Sequence, residues 1–181
     1  MKATGIVRRI DDLGRITIPK EVRRTLRIRE GNPLEIFIDR QGKIILKRYS
    51  PFSEISTFAE EYAKSLSEAS GNVVCIVDGN IIVAVSGGGE EKFKQKYISA
   101  KLEKKLEIGA IFSYSRDWND SIPILEDESC SDYITRLVVP IIADDNILGA
   151  IISLSTNKKT REVELESTKI AAQFLGRMMR V

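Results

Sequence analysis

The first fifty residues must fold around a core that they cannot supply alone. Their apolar side chains recur with a period of two: Ile16 and Ile18 alternate with Arg15 and Thr17, and Leu34, Ile36 and Ile38 alternate with Glu35 and Asp39. The pattern predicts a strand over 4–10, a turn over 11–14 and a second strand over 15–18; the turn carries acids that can accept local backbone bonds, then Gly14 for a positive φ. A helix over 19–27 follows, with Val22 and Leu26 spaced i, i+4 on its buried side, then a break at 30–33. The segment ends in a hairpin, 34–39 and 43–48, turned through Gln41 and Gly42. Units below about 40–60 residues are marginal without a metal, a disulfide or a partner. The sequence contains no histidine and only two cysteines, Cys75 and Cys130. Metal and disulfide staples are therefore not expected, and a partner chain remains. The expectation is an obligate, intertwined homodimer built by residues 1–50.

Charge divides the chain at the same place. Residues 1–50 carry 13 Lys and Arg against six Asp and Glu, a net +7, whereas the remainder carries 15 against 20, a net −5. Clustered guanidinium groups repel one another, and a polyanion relieves that repulsion while releasing counterions. Arginine also offers a planar fork that fits a phosphate or a guanine edge. Arg23 and Arg27 share one side of the predicted helix, with Arg24 nearby. A helix-turn-helix fits poorly, because one short helix is available and no recognition helix follows it. Double-stranded DNA is the expected partner.

After Tyr49-Ser50-Pro51 the period changes. Phe52, Ile55, Phe58, Tyr62, Leu66 and Ala69 recur at helical spacing, with Ser50 and Pro51 suited to the start of that helix. Two domains are expected, 1–50 and 51–181. In the second, strands over 73–77 and 81–85 flank Asp78-Gly79-Asn80, and strands over 134–142 and 147–154 flank Asp144-Asp145-Asn146; both junctions are hairpin signals. One helix is predicted over 90–106. Another, over 160–179, would align Val163, Ile170, Ala171, Phe174, Leu175 and Met178 in an apolar stripe that packs on the domain's own sheet, serves assembly, or does both. Residues 113–128 are read as irregular, and Cys75 as core. The apolar runs 137–143 and 147–154 are far shorter than the roughly 18 residues of a membrane span. No apolar leader opens the sequence, so a cytoplasmic protein that does not use membranes is expected.

The run Lys2-Ala3-Thr4-Gly5-Ile6-Val7-Arg8-Arg9-Ile10-Asp11-Asp12-Leu13-Gly14-Arg15-Ile16-Thr17-Ile18-Pro19-Lys20-Glu21-Val22-Arg23-Arg24-Thr25-Leu26 resembles the AbrB family of transition-state regulators, and the likeness continues through Leu34–Phe37 and Ile44–Lys47. The resemblance implies a swapped-hairpin β-barrel dimer. It also implies DNA contacts from Arg8, Arg15, Arg23 and Arg24, with Arg9 at a position that is basic in the family. Arg27 departs from the family's glycine and receives no role. DNA shape and deformability, rather than a fixed base sequence, would be read.

The second unit resembles a GAF domain, above all along Val139-Pro140-Ile141-Ile142 and Asn146-Ile147-Leu148-Gly149-Ala150-Ile151-Ile152. The fold class is thus α+β: an AbrB-like dimer domain followed by a GAF-like α/β sheet domain. That layout is similar to the SpoVT family of sporulation regulators. The likeness implies a transcription factor that activates and represses genes in the forespore, bound to the nucleoid and assembled as a homotetramer through the GAF-like units and their flanking helices.

Three other readings bear on function. An antitoxin built on a swapped hairpin would need a short toxin-binding tail, where this chain has about 130 patterned residues. A GAF-type sensor would respond to a small-molecule effector, to which no residues are assigned. Ser86-Gly87-Gly88-Gly89 could hold an anion, but the Gly-Lys-Ser/Thr ending of a phosphate loop is missing, and a plain flexible loop is the simpler reading. An enzyme is not expected: Asp144, Asp145, Glu126, Asp127 and Glu128 read as solvated acids in turns and loops, and neither a cofactor nor a metal is predicted.

Overall fold

The computed structural model describes residues 5–26, 28, 30–31, 33–49, 56–115, 122–127, 133–156 and 161–179. They divide into two compact units, Met1–Tyr49 and Ser50–Val181.

In the first unit Pro19, at φ −58°, leads the chain into α1 (Lys20–Thr25), which closes at Leu26. Pro is pre-set for a helix start and forgoes an N–H that would have no intrahelical partner. Two short strands, β1 (Leu34–Ile38) and β2 (Ile44–Arg48), pair antiparallel from Leu34↔Arg48 to Ile38↔Ile44, as the alternation predicts. The strands expected over 4–10 and 15–18 do not form among the described residues. A strand exists only against a neighbour whose N–H and C=O groups complete its ladder. In one chain these arms have just the turn that joins them.

None of the described residues of this unit is buried. Val22 is half-buried, and Leu26, expected to be inside, is exposed. Ile6, Val7, Ile10, Leu13, Ile16, Ile36, Phe37, Ile38, Ile44, Ile45 and Leu46 are exposed as well.

The second unit has its own core. Its elements are α2 (Ser56–Ser70), β3 (Val73–Asp78), β4 (Ile81–Ser86), α3 (Glu90–Phe93), α4 (Ala100–Leu106), β5 (Phe112–Ser115), β6 (Thr135–Ala143), β7 (Asn146–Ser155) and α5 (Glu162–Met178). The strands form one antiparallel sheet in the order β4-β3-β7-β6-β5. Alternate side chains of β3 separate the two faces. Val74 and Ile76 join Ala59, Ala63, Ala171 and Leu175 of α2 and α5, whereas Val73, Cys75 and Val77 join Phe93, Ile98, Leu102 and Leu106. Helices cover both faces, so β3 is buried along its whole length and reads as a continuous apolar run. Cys75 is core, as expected.

Four expectations for this unit need correction. The helix over 90–106 is two helices. Between them Gln95 takes a positive φ of 62°, and its N–H bonds the Ile82 carbonyl (2.8 Å), while Ile98 N–H bonds the Asn80 carbonyl (2.9 Å). The segment thus lies along the start of β4, where edge pairing outcompetes helix propagation. Ser99 then caps α4, its Oγ accepting from Leu102 N–H (3.1 Å) and donating to the Pro123 carbonyl (2.6 Å). Second, part of the supposedly irregular 113–128 is edge strand β5, paired from Phe112↔Val138 to Ser115↔Thr135. Third, the α5 stripe divides: Ala171 and Leu175 are buried beside Glu164, Thr168, Ala172 and Gly176, whereas Val163, Ile170, Phe174 and Met178 stay exposed. The sheet lies closest at Gly176, where a Cβ would meet the Ile142 carbonyl oxygen at 2.3 Å. Fourth, the glycine loop is a packing device. A Cβ at Gly87 would meet Ser67 Oγ at 2.3 Å and the Asn72 carbonyl oxygen at 2.5 Å.

Ser50, Pro51, Phe52, Ile55, Trp118, Cys130 and Arg27 lie outside the described residues.

Candidate nucleic-acid interface

The cationic side chains sit on three successive pieces of the first unit. Arg8 and Arg9 lie on the arm before the turn, Arg15 immediately after it, and Arg23 and Arg24 on α1. Arg8, Arg9, Arg15 and Arg24 are exposed, and Arg23 is half-buried. Arg8 donates from Nη1 to its neighbour's carbonyl at Val7 (3.2 Å). Arg23 Nε is shielded and has no hydrogen-bond partner among the described residues.

Arg15 is the most firmly placed of the five. Gly14, at φ +75°, bonds back to the Asp11 carbonyl (3.0 Å), and Asp11 N–H donates to the Arg15 carbonyl (3.1 Å). Inside this turn the Asp11 carboxylate accepts from Leu13 N–H (3.1 Å) and Arg15 N–H (2.7 Å) through Oδ1, and from Arg15 Nε (2.8 Å) through Oδ2. The Arg15 backbone N–H, then its side chain, hold the Asp11 carboxyl below its ordinary value against a small opposing effect of burial. Asp11 thus accepts the local backbone bonds expected of an acid in this turn, and it also engages the side chain of one of the arginines expected to meet DNA.

The second turn repeats the device. Gly42 N–H bonds the Asp39 carbonyl (3.1 Å), and Asp39 N–H the Lys43 carbonyl (3.0 Å). Asp39 Oδ1 accepts from Gln41 N–H (2.9 Å) and Lys43 N–H (2.8 Å), and Lys43 Nζ lies 3.7 Å from Oδ2. Ile10-Asp11-x-x-Gly14-Arg15-Ile16 and Ile38-Asp39-x-x-Gly42-Lys43-Ile44 are thus one pattern written twice. That spacing was the signal available for Asp11, and single-residue reasoning about charge passes over it.

In the second unit, Phe58 is exposed and Tyr62 of α2 stacks on Phe174 of α5 with centroids 5.2 Å apart. Together with Val163, Ile170 and Met178 they leave an apolar strip open on the outer side of these helices. An open groove of about 450 Å³ lies beside α5, floored by Val139, Pro140 and Ile142 and walled by the Glu166–Lys169 ion pair (2.7 Å). No group of metal-ligating residues and no helix long and apolar enough to cross a membrane occurs among the described residues.

Residues 54–180 match the family model described as stage V sporulation protein T C-terminal, transcription factor. The whole chain is 46% identical over 179 residues to stage V sporulation protein T of Bacillus subtilis, covering 99% of each. The chain belongs to the stage V sporulation protein T family. Its first unit is of the AbrB type: 79 residues, 44% of this chain, are 47% identical to the B. subtilis transition state regulatory protein AbrB, 81% of which is covered. Residues 7–54 also match the model of the bacterial antitoxin MazE. The second unit has the GAF fold. The blue-light absorbing form of the Thermosynechococcus elongatus PixJ GAF domain superposes with a TM-score of 0.59 at 14% identity, covering 71% of this chain and 86% of that one. As a member of the stage V sporulation protein T family the chain is a sporulation transcription factor, with an AbrB-type DNA-binding unit and a GAF-like unit.

Proposed function

We propose that residues 1–50 pair with those of a second copy into a swapped-hairpin barrel, and that the pair grips double-stranded DNA through Arg8, Arg9, Arg15, Arg23 and Arg24. One observation carries the pairing: a unit of known family has no buried residue among those described, while its apolar alternation faces outward. Burying those side chains against a partner is the available source of a core. The arms over 4–10 and 15–18 would then find the neighbours that make them strands. Residues 51–181 would join two such dimers into a tetramer, and the apolar strip of α2 and α5 supports this reading. The regulator would act in the cytoplasm of the forespore, on the nucleoid, activating some genes and repressing others. It would regulate rather than catalyse, in keeping with the transcription-factor family and a sequence without histidine. The MazE-type alternative would need a toxin-binding tail where an ordered GAF-like unit stands.

Fluorescence anisotropy with a labelled AT-rich duplex tests the interface. Arg15→Ala and Arg23→Ala should each weaken binding across unrelated sequences by about 1–3 kcal/mol, with the melting temperature of the protein kept. The dependence of log K on log salt should flatten by about one for each phosphate that is no longer engaged. Unchanged affinity in both variants would remove the assignment.

A further inference from the structure

The two neighbouring aspartates of the first turn have different surroundings. Asp12 is exposed and has no side-chain partner among the described residues. Asp11 holds the turn through Oδ1 and Arg15 through Oδ2. Arginine has five N–H donors, and this contact uses the one on Nε. The four on its terminal nitrogens have no partner among the described residues, on a side chain that is 70% exposed. A long arginine normally loses much rotamer freedom when it docks. Here the carboxylate has already restricted that freedom before any ligand arrives.

We propose that Asp11 is a positioning residue for DNA binding: by fixing Nε it presents the terminal nitrogens of Arg15 as a pre-set fork for a phosphate or a base edge. The proposal rests on the reading of Arg15 as a DNA contact. It makes a prediction of unusual sign. Removing a negative charge from a surface that meets phosphates should by Coulomb's law tighten binding. For Asp12 that is the expected result. For Asp11 loss of positioning outweighs the gain in charge.

Asp11→Asn suits the test. Its amide oxygen still accepts the backbone N–H groups, while its NH₂ meets Arg15 Nε donor to donor and releases the side chain. Asp11→Ser is the second variant, its hydroxyl able to hold the turn more weakly without a second oxygen for Arg15. With the full-length protein and a labelled duplex, either Asp11 variant should bind about tenfold more weakly, while Asp12→Asn should bind as well as the parent or tighter. On an Arg15→Ala background Asp11→Asn should cost nothing further, since its effect passes through Arg15. A thermal melt beside each titration identifies any variant that has lost its fold.

Three results would overturn the proposal. They are parental or tighter binding by both folded Asp11 variants, an undiminished loss from Asp11→Asn on the Arg15→Ala background, and a loss on Asp12→Asn equal to that on Asp11→Asn. Full affinity in Arg15→Ala itself is a different failure, which removes Arg15 from the interface.

Discussion

At the scale of single residues the first turn sets two acids of one type in different roles. The Asp11 carboxyl is held low by hydrogen bonds to its charged form, from the Arg15 N–H first and the Arg15 side chain second. Such a group stabilises the turn fully above its unfolded value and loses that contribution as pH falls through the lower, folded value. The window therefore lies below the ordinary 3.8. Without histidine in the sequence, the turn should be insensitive to pH from about 5 to about 7. An NMR titration of the Asp11 carboxyl in the intact protein should give a midpoint under 3.8, and a midpoint at or above that value would contradict the geometry. The arginines were legible in the sequence because charge density needs no structure to be read. The backbone bonds of the turn's acid were legible too; its hold on the Arg15 side chain was not, because that depends on where its second oxygen lies.

At the scale of elements, sequence reading succeeded where a segment answers mainly to itself and failed where a neighbour decides. The hairpins β1–β2, β3–β4 and β6–β7 follow from alternation or apolar runs around Gly, Asn and Asp turns. The continuous helix over 90–106 did not form, because an edge strand offered Gln95 and Ile98 better backbone partners. The apolar stripe read on α5 divides for a related reason. The sheet comes so near at Gly176 that no side chain fits there, and Ala171, Ala172 and Leu175 face inward beside it while Val163, Ile170, Phe174 and Met178 face outward. Ser99 was readable as a cap only once the break was known. Ser99→Ala removes both the cap and the donor to a part-buried carbonyl. It should destabilise the second unit by about 1–3 kcal/mol in a denaturant titration, whereas exposed Ser65→Ala, on α2, should stay within about 0.5 kcal/mol.

At the scale of the molecule, the two units differ in how complete they are. The GAF-like unit encloses cores on both faces of its sheet. The AbrB-type unit encloses none among its described residues. In the proposed tetramer, the apolar strip on the outer faces of α2 and α5 would supply the second contact. The double variant Val163→Glu/Ile170→Glu changes two exposed positions of that strip. Light scattering on the full chain should then report a dimer in place of a tetramer. The melting temperature of the second unit should change little, because substitutions at exposed sites usually stay within about 0.5 kcal/mol each. A tetramer that survives the double variant would move the assembly contact elsewhere.

The pairing proposed for the leading segment, with its exposed β1–β2 hairpin, would carry a consequence for the cell. A fold that is completed by a second molecule turns dilution into a denaturant, since mass action couples its stability to protomer concentration. Newly made chains below the pairing threshold would show their unsheltered strands to proteases and be cleared. The regulator would then switch on steeply with its own rate of synthesis, and fade quickly once synthesis stops.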